Sequence, residues 1–157
     1  MGTMTTREEM SALYDQDFFE WTQRSGELLR HGCFEQADID HLAEEIEDLG
    51  KRDQRGVDSR LRLVIMHLLK WKLQPERRYT RSGKSSWLST IVEQRSSLQL
   101  IFKQSPSLKR FAKQDLPKAY PVAVKRDSLE TGIPANQFPS TCPFTFEQII
   151  NDNFVPA

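Results

Sequence analysis

Apolar residues three and four positions apart in the middle of the chain constrain its fold more than any other feature. One set in this spacing is Ile39, Leu42, Ile46 and Leu49, and a second is Val57, Leu61, Val64, Leu68 and Trp71. Such spacing places all these side chains on one face of an α-helix. Gly50 and Gly56 lie between the sets, and each glycine costs about 1 kcal/mol relative to alanine inside a helix. We therefore predict one long helix over about residues 38–73, bent near residues 50–56.

Shorter helices are predicted on both sides of the long helix. A helix over about residues 15–30 ends near Gly32, and Asp38 is the predicted N-cap of the long helix. Another begins at Ser85 or Ser86 and continues to about Gln104.

Two prolines complicate the stretch that follows. Pro106 is well placed to begin a helix, but Pro117 and Pro121 interrupt the sequence up to Thr131. We expect two short pieces or one kinked helix there. A capping box predicts a last short helix over residues 146–151.

The predicted fold class is all-α, because no segment alternates apolar and polar residues as a half-buried strand would. We expect a single-domain irregular helix bundle over residues 1–157. Residues 1–12 are expected to be disordered or a leader, with Met4 as the natural start. Residues 133–157 are expected to form an irregular tail that ends in the short helix.

Charge is strongly segregated along the chain, although 22 basic residues balance 22 acidic ones. Residues 1–50 carry 13 acidic and 3 basic side chains, whereas residues 51–84 carry 11 basic and 3 acidic ones. Either the basic segment contacts an acidic partner, such as nucleic acid or an acidic protein, or the two segments face each other within the fold. The candidate contact residues are Lys70, Lys72, Arg77, Arg78, Arg81 and Lys84. Three aromatic residues, Trp71, Tyr79 and Trp87, lie among these cations in the sequence. Spacing places Trp71 and Trp87 in the core, so Tyr79 is the one aromatic residue left for stacking on a base.

Membrane insertion and disulfide frameworks are not indicated. No run of about 18 apolar residues is present, and the polar, acidic N-terminus is unlike a signal peptide. Cys33 and Cys142 lack zinc-finger spacing and are interpreted as reduced thiols of a cytoplasmic protein, although a disulfide between them stays open.

Three polar residues at predicted core positions are the candidate catalytic group: Glu45, His67 and Arg95. Arg95 interrupts an apolar helix face, and a buried guanidinium needs a partner, for which Glu45 is the candidate. Imidazole and carboxylate groups are also ligands for a divalent metal, and the candidate set is His41, Glu44, Glu45 and His67. These residues form either an internal polar network or the active site of a metal-assisted hydrolase or nuclease.

The chain contains an ordered set of motifs: LYDQDF at 13–18 with Trp21, LAEEIEDLG at 42–50, HLLKW at 67–71 with Gln74 and Pro75, Ser86 and Trp87 with Ile91 and Arg95, residues 106–108, Tyr120, and residues 138–139 with Cys142 and Pro143. Together these motifs resemble a bacterial family known only as domain-of-unknown-function family twenty-nine. The resemblance covers about residues 12–154 and implies a helical fold and a bacterial, cytoplasmic setting. It implies no activity. Phe144 stands where tyrosine is expected, and His41 is not a position that the resemblance supports.

Three functions are therefore compatible with the sequence. The first is a helical module that binds a macromolecule, nucleic acid among the candidates, through the basic segment 51–84. The second is the metal-assisted hydrolase or nuclease described above. The third is a scaffold or homo-oligomerisation module, which the 3-4 spacing favours.

Overall fold

Helices form all the regular secondary structure of residues 5–157, which are the residues that the computed structural model describes. The six α-helices are α1 (Arg7–Gln16), α2 (Phe18–Arg30), α3 (Ile39–Leu73), α4 (Ser86–Gln104), α5 (Pro106–Thr131) and α6 (Phe146–Ile150). Single 3₁₀ turns follow at Pro75–Arg77, after α3, and at Ala135–Gln137, after α5. No strand occurs in the described residues, and the predicted all-α fold is confirmed.

Local sequence signals account for most helix ends. Gly32 follows α2 with φ +70°, and Gly132 ends α5 with φ +76°, both in the left-handed region that favours glycine. The Ser85 side chain caps α4, and Thr145 and Gln148 form the capping box that begins α6. The predicted long helix is confirmed, since α3 runs through both of its internal glycines without a break. Its predicted bend near residues 50–56 stays a prediction.

The structure corrects the N-terminal predictions. Residues 7–12, expected to be disordered or a leader, form most of α1, which Thr6 and Glu9 begin with a capping box. The expected helix over 15–30 is divided, because the Asp17 side chain accepts a hydrogen bond from the Glu20 amide and caps α2. The predicted leader and start at residues 1–4 lie outside the described residues.

Helix α5 is one element rather than two pieces, although it contains Pro117 and Pro121. Each proline removes one backbone donor and leaves the carbonyl four residues earlier without its helical partner. Both prolines and Lys113 are exposed to solvent. The prolines therefore lie on a solvent-exposed part of α5, where a missing backbone hydrogen bond costs less than in the core.

The chain divides into two compact units, residues 1–52 and 53–157, and α3 continues through the boundary. The second unit contains the large apolar core, formed by α3, α4, α5, α6 and the tail. Its largest fully buried apolar side chains are Leu61, Ile65, Met66, Leu68, Leu69, Ile91, Leu98 and Ile149. The prediction of a single domain stays a prediction.

The first unit has a small core around Met10, Trp21 and Ala37. Sequence spacing predicts a buried face on the N-terminal part of α3, and this prediction is wrong. Ile46 is 66% exposed and Leu49 is 56% exposed. The spacing reports which residues share a helix face but not whether another element covers that face.

Two further findings concern the described residues as a whole. None of their helices combines the length and the apolar character needed to cross a bilayer. Cys33 and Cys142 are both free thiols.

Candidate functional site

A short basic loop, residues 74–85, connects α3 to α4 and is held in shape by its own hydrogen bonds. The Thr80 amide donates to the Lys84 carbonyl at 2.7 Å, and the Lys84 amide donates to Thr80 Oγ1 at 3.2 Å. Gly83 adopts φ +76° inside this turn. The tip of the basic loop is therefore a closed turn that presents Arg81 and Lys84.

Arg78 and Trp71 anchor the basic loop to α3. The Arg78 Nε donates to the Trp71 carbonyl at 2.7 Å, and the Arg78 guanidinium lies 4.9 Å from the centre of the Trp71 ring. Tyr79 packs edge-on against the same indole, with ring centres 5.5 Å apart and planes at 78°. Tyr79 nevertheless remains 56% exposed.

Four of the six predicted contact residues are exposed cations. These are Lys72, Arg77, Arg81 and Lys84. None of them forms an ion pair with an acidic side chain of residues 5–157. Their charges are therefore available to an external anion.

The other two predicted contact residues have structural partners. Arg78 is half-buried and anchored to Trp71, as described above. Lys70 has only 11% of its side chain exposed and donates to Glu130 Oε2 at 2.5 Å. The predicted surface is therefore reduced to Lys72 and the exposed cations of the basic loop.

Lys70 instead belongs to a polar cluster between α3 and α5, with Asp127 and Glu130. Its Nζ lies 3.6 Å from Asp127 Oδ1, an ion-pair distance that is too long for a hydrogen bond. Asp127 is completely buried, and neither of its carboxylate oxygens accepts a hydrogen bond from any residue in 5–157. An incompletely paired buried carboxylate is costly for the folded state.

The electrostatics of this cluster follow from burial. Burial raises the pKa of Asp127 from 3.8 to about 7, and Lys70 only partly opposes this change. The hydrogen bond from Lys70 lowers the pKa of Glu130. Burial also lowers the pKa of His67, whose Nδ1 donates to the Leu63 carbonyl at 2.8 Å. His67 is thus hydrogen-bonded to its own helix through Nδ1.

Arg95 is buried in the second unit, as the interrupted apolar face of its helix suggests, with 1% of its surface exposed. The prediction that it needs a carboxylate is wrong. Its guanidinium donates to three main-chain carbonyls, those of Gln148, Ile149 and Phe154, at 3.1, 2.7 and 2.8 Å. These three hydrogen bonds tie α6 and the C-terminal tail to α4.

Glu45 belongs to an aromatic and polar network of the first unit. It accepts a hydrogen bond from the Tyr14 hydroxyl at 2.6 Å, which raises the pKa of Tyr14 to about 12. The Tyr14 ring stacks on His41, with ring centres 3.9 Å apart. Buried Asp38 accepts from His41 Nδ1 at 2.6 Å and from Trp21 Nε1 at 3.1 Å. The hydrogen bond with Asp38 raises the pKa of His41.

This network shows what the predicted metal ligands do. His41 is hydrogen-bonded to Asp38, and Glu45 is hydrogen-bonded to Tyr14. Glu44 is exposed, and His67 is hydrogen-bonded to its own helix. No group of three or more histidine, cysteine or acidic side chains within residues 5–157 is arranged to hold a metal ion. The predicted ligand set is therefore not supported by the structure.

Sequence reasoning missed Asp127, Glu130, Asp38 and Tyr14 as members of these clusters. Asp127 shares a helix face with Tyr120 and Ala123, at spacings of three and four, which is a usable signal of burial. The prolines of α5 obscured it, because they made a continuous helical phase look improbable. Asp38 directly precedes α3, at the predicted cap position, and its side chain also binds His41 and Trp21, which the sequence does not indicate.

Comparison with known proteins gives one match. The model of a family described as "Domain of unknown function DUF29" matches residues 13–155. No curated protein and no solved structure matches the chain.

Proposed function

We propose that this chain, which belongs to the DUF29 family of domains of unknown function, binds an anionic macromolecule through its basic loop and Lys72. The observation that carries the proposal is that Lys72, Arg77, Arg81 and Lys84 are exposed, without ion pairs inside the described residues. Clustered cations without internal partners attract polyanions and release counterions on binding.

The shape of the basic loop supports the same proposal. The hydrogen-bonded turn from Thr80 to Lys84 and the anchoring of Arg78 on Trp71 fix the backbone that carries the cations. A surface fixed in advance loses less conformational entropy when it binds than a disordered basic segment would.

The hydrolase hypothesis has less support. Arg95 is fully engaged with main-chain carbonyls, and Glu45 and His67 each have a structural partner. The scaffold or homo-oligomerisation hypothesis stays a hypothesis. We place the protein in the bacterial cytoplasm, on the basis of the family resemblance and of its two free thiols.

The test is a triple variant, Arg77→Ala, Arg81→Ala and Lys84→Ala, titrated against fluorescently labelled polyanions. The panel contains a single-stranded oligonucleotide, a duplex of the same length and polyglutamate, at low salt. We expect binding to at least one of them, weakened about 100-fold or more in the variant, because each lost charged contact is worth roughly 1 kcal/mol or more. Fluorescence anisotropy measures the affinity.

A matched control removes three exposed cations elsewhere in the second unit: Lys103→Ala, Arg110→Ala and Lys125→Ala. This control lowers the net charge equally, and we expect it to weaken binding only a few-fold. Equal losses in the two triple variants would show non-specific attraction and would contradict a site at the basic loop. Absence of binding to every member of the panel would also contradict it.

A further inference from the structure

We infer that the macromolecule is a single-stranded nucleic acid, and that one of its bases stacks on the ring of Tyr79. This inference rests on the proposed function, and it names the class of ligand for the same surface. The observation behind it is an exposed aromatic ring that packs against Trp71 and belongs to the same loop as cations without ion pairs in residues 5–157.

The position of Tyr79 is fixed by Trp71. The indole is buried, and it meets the tyrosine ring in an edge-on contact. Arg78 also contacts Trp71, since its guanidinium lies 4.9 Å from the centre of the indole and its Nε donates to the Trp71 carbonyl. A T-shaped pair leaves a broad face of one ring without an aromatic neighbour, and the 56% exposure of Tyr79 shows that solvent reaches it.

Three exposed cations of the basic loop lie within five residues of Tyr79 in the sequence. Arg77 precedes Tyr79 by two residues, and Arg81 and Lys84 follow it in the closed turn. Backbone phosphates beside such cations, with a base on the aromatic face, are the usual arrangement in single-strand recognition. Glu76 is the one acidic residue of the basic loop.

The other polyanions use this surface less fully. Bases inside a duplex are stacked on each other, and exposing one costs a few kcal/mol. An acidic polypeptide can neutralise the cations but has no base to stack on Tyr79. The geometry therefore favours a single strand over both alternatives.

The experiment compares Tyr79→Phe and Tyr79→Leu with the wild-type protein, using a labelled 20-nucleotide single strand, its duplex and polyglutamate. Both variants keep an apolar side chain against Trp71, so that the loop retains its packing, which thermal melting checks. We expect the phenylalanine variant to bind the single strand within about 2-fold of wild type. We expect the leucine variant to bind it about 10-fold or more weakly, because base stacking on an aromatic ring is lost.

The controls separate this inference from the proposed function. Loss of affinity in the leucine variant for the single strand, with unchanged affinity for polyglutamate, supports stacking. Unchanged single-strand affinity in the leucine variant overturns the stacking inference, and so does tighter binding of duplex or polyglutamate by wild type. In those cases the proposed function still stands if the triple variant of the basic loop abolishes binding.

Discussion

Replacing Arg95 by methionine is expected to lower the free energy of unfolding by about 3 kcal/mol or more. The substitution keeps an apolar stem of similar length but leaves the carbonyls of Gln148, Ile149 and Phe154 without their charged donor. For a domain of this size, the loss corresponds to a decrease in Tm of roughly 6–12 °C. Urea unfolding at pH 7 and thermal melting measure it.

The Arg95 variant has a second, local consequence. Because all three carbonyls belong to α6 and the residues after it, the C-terminal tail should become the first site of proteolysis. Arg95→Lys keeps the positive charge but loses the planar fork that reaches three acceptors, and we expect an intermediate stability. A methionine variant as stable as wild type, with a protected tail, would refute this role of Arg95.

Replacing Asp127 by asparagine is expected to stabilise the protein at pH 8. Burial raises the pKa of Asp127 from 3.8 to about 7. At high pH, ionisation of this buried carboxyl therefore lowers the free energy of unfolding by at most about 4 kcal/mol. The folded state binds this proton more tightly than the unfolded state. Stability from Asp127 is therefore present below pH 4 and is lost as the pH rises to about 7.

The measurement for Asp127 is the free energy of unfolding from pH 4 to pH 8 for wild type and Asp127→Asn. The difference between the two curves should grow over this interval and level off above pH 7. Glu130→Gln is the matched control, and it should lower the free energy of unfolding at high pH. Lys70 lowers the pKa of Glu130, so the ionised form stabilises the fold. Parallel curves for wild type and the asparagine variant would show that Asp127 ionises at no cost.

The helices were predictable where the sequence pattern is local. The long helix α3, the start of α4 and the capping box of α6 all follow from spacing and caps. The sequence left two alternatives open for α5, two short pieces or one kinked helix, because local signals do not determine whether a helix tolerates two internal prolines. The exposure of Ile46 and Leu49 was not predictable, since it depends on which elements pack elsewhere.

The polar sites were predictable only in part. The interrupted apolar face identified Arg95 as buried, but its partners are main-chain carbonyls more than 50 residues away, which have no signal in the sequence. The charge pattern identified the basic loop. It could not show that Lys70 and Arg78 are held by Glu130 and Trp71, because those contacts require the fold.

The salt dependence of single-strand binding tests the central claim most directly. When the logarithm of the association constant is plotted against the logarithm of the salt concentration, each phosphate contact contributes about −0.7 to the slope. Contacts from Lys72, Arg77, Arg81 and Lys84 therefore predict a slope near −3, falling to about −0.7 in the triple variant of the basic loop. A slope that the triple variant leaves unchanged would show that the nucleic acid binds elsewhere and would contradict the account.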